Sequence, residues 1–194
     1  MKNYLLLLIL AISISAKAQT INDFQLLSTT GTNFKLSDNA NAKGYIVVFT
    51  SNNCPFAKLY PERLKALNKK YEPLGIPLIC IRSTDTTVMD EDVYEKMIEL
   101  TQREQFNFPY LADSDQEVAK QFHADKTPHA FVIWKEKETW TIKYSGAIDD
   151  NGAEEKKVKH RYVAEAADAL LAGKEVTIKK TASVGCAIHY RKKQ

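Results

Sequence analysis

Three cysteines, Cys54, Cys80 and Cys186, carry the nucleophilic and redox capacity of this 194-residue chain. Cys54 stands in TSNNCPFAK, directly behind the apolar run YIVVFT and directly before Pro55, so its sulfur is expected at the boundary between a buried strand and a helix start. Unpaired N–H groups and the helix dipole at such a boundary favour the thiolate, which is the reacting form. Cys80 lies inside the apolar β-type run IPLICIR and reads as a small buried hydrophobe. Cys54 and Cys186 are therefore the candidate pair.

Other chemistries find little support. His123, His129, His160 and His189 are isolated, without metal-ligand spacing, and no Ser-His-Asp order, phosphate-binding glycine loop or H-E-x-x-H occurs. The turn Asp149-Asp150-Asn151-Gly152 offers oxygens but lacks the remaining ligands of a 12-residue calcium loop. No metal and no cofactor are expected.

The compartment follows from the N-terminus. Lys2, an apolar run over residues 4 to 14 and Ala16-Lys17-Ala18 form the charged, apolar and small-residue order of a secretory signal peptide. The run is far shorter than the ~20 residues of a spanning helix. No cysteine follows it to carry a lipid, so no stable membrane anchor is expected. The expected layout is a signal peptide over residues 1 to 18 and one domain over residues 19 to 194, with residues 174 to 194 as a C-terminal extension carrying Cys186. An exported protein, periplasmic or extracellular, meets conditions in which disulfides persist. The 27 basic and 24 acidic side chains approach balance once Lys2 and Lys17 are removed, which gives no reason to expect a nucleic-acid partner. Arg191, Lys192 and Lys193 read as a solvated tail.

The elements that must position the cysteines are set by periodicity and punctuation. FQLL and NFKL around STTGT predict an N-terminal hairpin, and residues 45 to 50 a strand covered on both faces. Residues 55 to 71 favour one helix, with Pro55 at its first position and a kink at Pro61. Met89, Val93, Met97 and Leu100 predict a helix within residues 88 to 106. Residues 113 to 115 offer a cap before QEVAKQF. TPHAFVIW and TWTIKYSG around KEKE predict an antiparallel hairpin, and residues 158 to 172 a last helix stopped by Gly173. This order implies a mixed sheet with helices on both faces.

On YIVVFTSNNCP, on Thr127-Pro128 before AFVIW, and on the terminal hairpin and helix, the chain resembles the thioredoxin superfamily, in particular exported thioredoxin-like and redoxin proteins of the AhpC/TSA-like kind. The resemblance covers nearly the whole mature chain. It implies a thioredoxin-like α/β fold: a mixed central sheet flanked by helices, with an N-terminal β-hairpin and a C-terminal tail. It also implies a cis Thr127-Pro128 bond facing residues 51 to 54. Thr127 and Pro128 then join Cys54 in the site, with Asn52, Asn53, Pro55 and Thr127 as substrate-binding surface. A cis bond would bring His129 near Cys54.

The chain departs from the C-x-x-C pattern at its first position, where Ser51 stands and cannot start a disulfide exchange. Three functions follow from the resemblance. The first is a thiol-disulfide oxidoreductase in which Cys54 attacks and Cys186, on a flexible tail, resolves. SVGCAIHY resembles the C-terminal Gly-Cys segment of redoxin-like relatives whose active loop is C-N-x-C-P. Its partners are protein thiols or disulfides and a reductant. The second is an antioxidant thiol peroxidase acting on a small peroxide, since Ser51-x-x-Cys54 matches T/S-x-x-C. That match lacks the preceding proline, replaced by Val48 or Val47, and its arginine, for which Arg82 at a strand end, ordinarily an exposed position, is the available substitute. The third is a non-catalytic binding module with a structural Cys54-Cys186 disulfide.

Overall fold

A computed structural model describes residues 19 to 192. The leader expected over residues 1 to 18, and Lys193, lie outside the described residues. The strands are β1 (Thr20–Ile21), β2 (Gln25–Ser28), β3 (Asn33–Lys35), β4 (Gly44–Thr50), β5 (Leu78–Arg82), β6 (Tyr110–Ala112), β7 (Lys126–Thr127), β8 (His129–Glu136), β9 (Thr139–Gly146) and β10 (Cys186–Ala187). The helices are α1 (Pro61–Tyr71), α2 (Tyr94–Glu104), α3 (Glu117–Phe122) and α4 (Tyr162–Leu171). Eight strands form one sheet in the order β1-β9-β8-β4-β5-β6-β2-β3, and β10 pairs with β7 beside it.

β4 lies at the centre, parallel to β5 and antiparallel to β8. Its residues alternate between two cores, as the period of two requires. Ile46 and Val48 pack with Leu64 and Tyr71 of α1, Met97 of α2 and Val163 of α4, whereas Val47 and Phe49 pack with Val118 and Phe122 of α3, Leu26 of β2 and Phe131 of β8. Both faces are thus covered, which explains the nearly unbroken apolar run. The chain has the expected thioredoxin-like α/β architecture, with β2 and β3 as the N-terminal hairpin.

Four expectations are corrected. The helix foreseen over residues 55 to 71 is broken: a 3₁₀ turn, Ala57–Leu59, precedes α1, and Pro61 occupies the first turn of α1. Proline has no N–H to continue an earlier helix and is well placed to start a new one. The helix foreseen within residues 88 to 106 begins only at Tyr94, after a 3₁₀ segment, Asp90–Asp92, and an extended Val93. Val88 is 63% exposed and outside the apolar stripe. The last helix starts at Tyr162, not at residue 158.

The fourth correction concerns the tail, which is no flexible arm. Thr181 N–H donates to the Ser145 carbonyl (3.0 Å), and Ile188 is buried with its N–H on the Asp125 carbonyl (3.0 Å). The His189 carbonyl accepts from Asp85 N–H (3.0 Å) and from Gln116 Nε2 (2.8 Å). Arg191, expected to be solvated, places Nε 3.0 Å from Asp85 Oδ1. Backbone groups of Asp85, Asp125 and Ser145 and the side chains of Asp85 and Gln116 are what the tail satisfies, a demand invisible in its own composition.

Candidate active site

The loop that follows β4 turns so tightly that Cys54 is 2% exposed. Lys58 N–H donates to the Cys54 carbonyl (3.1 Å), closing one helical turn ahead of the 3₁₀ segment. The sulfur therefore faces the start of a short turn rather than the end of α1. Its Sγ–H donates to the Thr127 carbonyl at 2.8 Å. The Thr127-Pro128 bond is cis.

The pairing of β10 with β7 sets Cys186 directly opposite Thr127. That register places Cys186 near enough to Cys54 for each thiol to act on the other's pKa, and both are free thiols. Burial acts to raise the Cys54 pKa, but hydrogen bonds from Cys186, the Thr127 side chain and the Ala57 N–H outweigh it and leave the thiol below its ordinary value. Cys186 moves the opposite way, to about 11, through burial first, then its bond to Cys54 and the negative charges of Cys54 and Asp92. One partner is thus suited to be a thiolate and the other a thiol.

Gly185 makes this approach feasible. A Cβ at that position would run into the Thr127 carbonyl oxygen and crowd Pro128 N. The Gly-Cys order in the tail is therefore a steric condition for the contact.

Ser51 and Asn52 are held by a residue that sequence reasoning missed. Asp92 is fully buried; its Oδ2 accepts from Ser51 Oγ at 2.7 Å and its Oδ1 from Asn52 N–H at 2.6 Å. Burial raises its pKa, opposed by those two bonds and the Arg82 charge. Asn52 Nδ2 donates to the Glu91 carbonyl (2.8 Å), and its Oδ1 accepts from Tyr110 OH (2.8 Å). Within an acidic run, Asp90-Glu91-Asp92, nothing marks the third residue as the one turned inward.

Of the residues expected at the site, Cys54, Thr127, Pro128 and Cys186 come together. Asn53 and Pro55 are exposed beside them, Asn53 Oδ1 accepting from Lys58 Nζ (3.1 Å). Ser51 and the Asn52 side chain are occupied internally, and among the described residues neither bonds to Cys54. His129 does not face Cys54: Nε2 is 3.0 Å from Ser145 Oγ, Nδ1 is 3.1 Å from Asp125 Oδ1, and the ring stacks on Phe131. The β8 alternation turns it that way. Arg82 is 2% exposed, not a solvated strand end, and it donates to the Thr84 carbonyl (3.3 Å) and contacts Met97 Sδ (3.4 Å). Cys80 is 1% exposed, and burial pushes its thiol far up, as befits a core residue. Among the described residues no cluster of His, Cys, Asp and Glu could hold a metal ion, and no helix is long and apolar enough to cross a membrane.

Comparison with known proteins matches residues 18–150 to the AhpC/TSA family. Two solved structures are similar over most of their length. A hypothetical protein from Sinorhizobium meliloti 1021 has 31% identity and a TM-score of 0.81, covering 90% of this chain and 94% of its own. An uncharacterized conserved protein from Geobacillus kaustophilus has 30% identity and a TM-score of 0.82, covering 91% and 93%. The peroxidoxin BcpB from Mycobacterium tuberculosis shares the fold at 20% identity and a TM-score of 0.59, covering 80% and 96%. No curated protein matches.

Proposed function

The chain belongs to the AhpC/TSA family, and from that premise we propose that it is an exported thiol-disulfide oxidoreductase whose working unit is the Cys54 and Cys186 pair. Cys54 supplies the stabilised thiolate and Cys186 its disulfide partner. The observation that carries this reading is the β10–β7 register, which aims the tail cysteine at a sulfur whose pKa is lowered. Prepositioning of this kind converts disulfide closure into an intramolecular step between oriented groups. The substrates are protein thiols or disulfides, with a reductant to recycle the pair. Export, with residues 1 to 18 as leader and the domain and its extension over residues 19 to 194, belongs to the same proposal, because an oxidising compartment is where such a pair cycles.

A thiol peroxidase is the weaker alternative. The Ser51 hydroxyl, which would position a peroxide, is spent on Asp92, and Arg82 is spent on Thr84 and Met97. The binding-module alternative draws support from the clamps on either side of Cys186, which would equally suit a permanent staple.

The reduction potential of the pair, read by thiol labelling across a glutathione series, tests the proposal. A value within roughly −120 to −270 mV is expected of an exchanging dithiol. A bond that resists reduction below about −300 mV would be a staple and would place the binding module first.

A further inference from the structure

We propose that the sulfur which exchanges with the partner is that of Cys186, and that Cys54 is the inner sulfur of the pair, the reverse of the order that the loop motif suggests. The inference rests on the oxidoreductase reading above and adds the direction of approach. A thiolate attacks a disulfide sulfur from the side opposite the sulfur that leaves, so access behind each sulfur decides which one is attacked. Cys54 is 2% exposed, enclosed by the turn that its carbonyl and Lys58 N–H close and by the buried Thr127, whose carbonyl accepts from its sulfur. Cys186 is partly exposed, and its neighbour but one, Val184, is 67% exposed. Of the two sulfurs, that of Cys186 is therefore the accessible one.

The leaving group agrees with this direction. Attack at Cys186 expels Cys54, whose thiolate keeps the stabilisation supplied by the Thr127 side chain and the Ala57 N–H, and a better-stabilised thiolate leaves faster. Attack at Cys54 would expel Cys186, whose thiolate is disfavoured by burial and by the Asp92 charge. The tail cysteine thus takes the outward role that the missing first position of C-x-x-C leaves unfilled, and Ser51 needs no thiol.

The reaction runs with a dithiol partner. Its thiolate attacks Cys186 Sγ; the Cys54–Cys186 bond breaks, a bond between the partner and Cys186 forms, and Cys54 leaves with the electron pair. The partner's second thiolate then attacks the partner's own sulfur in the mixed disulfide, and Cys186 leaves and takes up a proton. The partner departs as a disulfide, having given two electrons to the Cys54 and Cys186 pair. Of its two protons, one ends on Cys186 and one on Cys54 or, where Cys54 stays ionised, in solvent.

The test uses the full chain, oxidised with oxidised glutathione and freed of excess reagent. It is mixed briefly with reduced glutathione, as a monothiol probe, and quenched in acid, and the freed thiol is then labelled with excess maleimide in denaturant at mildly acid pH after the glutathione has been removed. Digestion and mass spectrometry locate the glutathione. Expected is glutathione on Cys186 and maleimide on Cys54, in excess over the reverse by at least about tenfold. Equal labelling, or glutathione mainly on Cys54, overturns the order while leaving the oxidoreductase reading intact. If oxidised glutathione never joins Cys54 to Cys186, the oxidoreductase reading itself fails, and the order with it.

Discussion

The Ser51 hydroxyl donates to the Asp92 carboxylate across 2.7 Å, although the two residues are 41 positions apart and both are buried. With the Asn52 N–H on the other oxygen, this carboxylate holds the start of the active loop. Asp92→Ala leaves both donors without a partner, and each buried unsatisfied group costs about 1–3 kcal/mol. A fall of that size in the unfolding free energy, read from urea titration, is expected. Unchanged stability would mean that the loop is held by other contacts.

The Asp92 charge is also one of the causes that raise the Cys186 pKa. In a Cys54→Ser background, Asp92→Asn is therefore expected to shift the pH profile of Cys186 alkylation to lower pH. A profile that does not move would show that the carboxylate acts on the loop alone.

Gly185→Val is expected to dislodge the tail, since any Cβ there meets the Thr127 carbonyl. Closure of the Cys54–Cys186 disulfide should slow by about tenfold or more, the effect of ~1.4 kcal/mol on a barrier. The central sheet, which lies outside the β10–β7 pair, should keep its circular dichroism. Unaltered closure kinetics would contradict the steric role of Gly185.

Ser51→Cys restores the first position of C-x-x-C beside Cys54. The introduced thiol loses most of the Asp92 hydrogen bond, at a cost of about 1 kcal/mol. Disulfide mapping after oxidation is expected to show the introduced thiol competing with Cys186 for Cys54. Exclusive pairing of Cys54 with Cys186 would mean that the docked tail outcompetes a neighbour in sequence.

The reduced protein should lose stability in alkali through Cys186. A thiol whose folded pKa is raised, here from 9.0 to about 11, favours folding below its unfolded pKa. That contribution disappears as the pH rises from about 9 through about 11. Urea unfolding across this range should show the loss in the reduced wild type and a smaller loss in Cys186→Ser. Equal pH dependence in both would assign the effect to other groups.

Much of the fold is legible in the chain. The nearly unbroken apolar run over residues 45 to 50, the turn residues between FQLL and NFKL, and Gly173, in a left-handed conformation after α4, all act through the local backbone. The punctuation misleads where one residue has two local uses: Pro61 reads as a kink in one long helix but begins α1. The burial of Cys80 was likewise readable, since its neighbours on both sides are apolar.

By itself, then, the sequence determined the order of elements, the two-sided central strand and the location of Cys54 at the end of that strand. Only the tertiary structure decided that Asp92 turns in to Ser51, that Arg82 is buried against Thr84 and Met97, that His129 faces Ser145, and that the tail docks with Cys186 opposite Thr127. The division has a physical cause. Helix and strand periods are properties of a few consecutive residues, whereas these contacts depend on the register between segments far apart in the chain. Unsatisfied polar groups on one segment set that register for another, and neither segment records it alone.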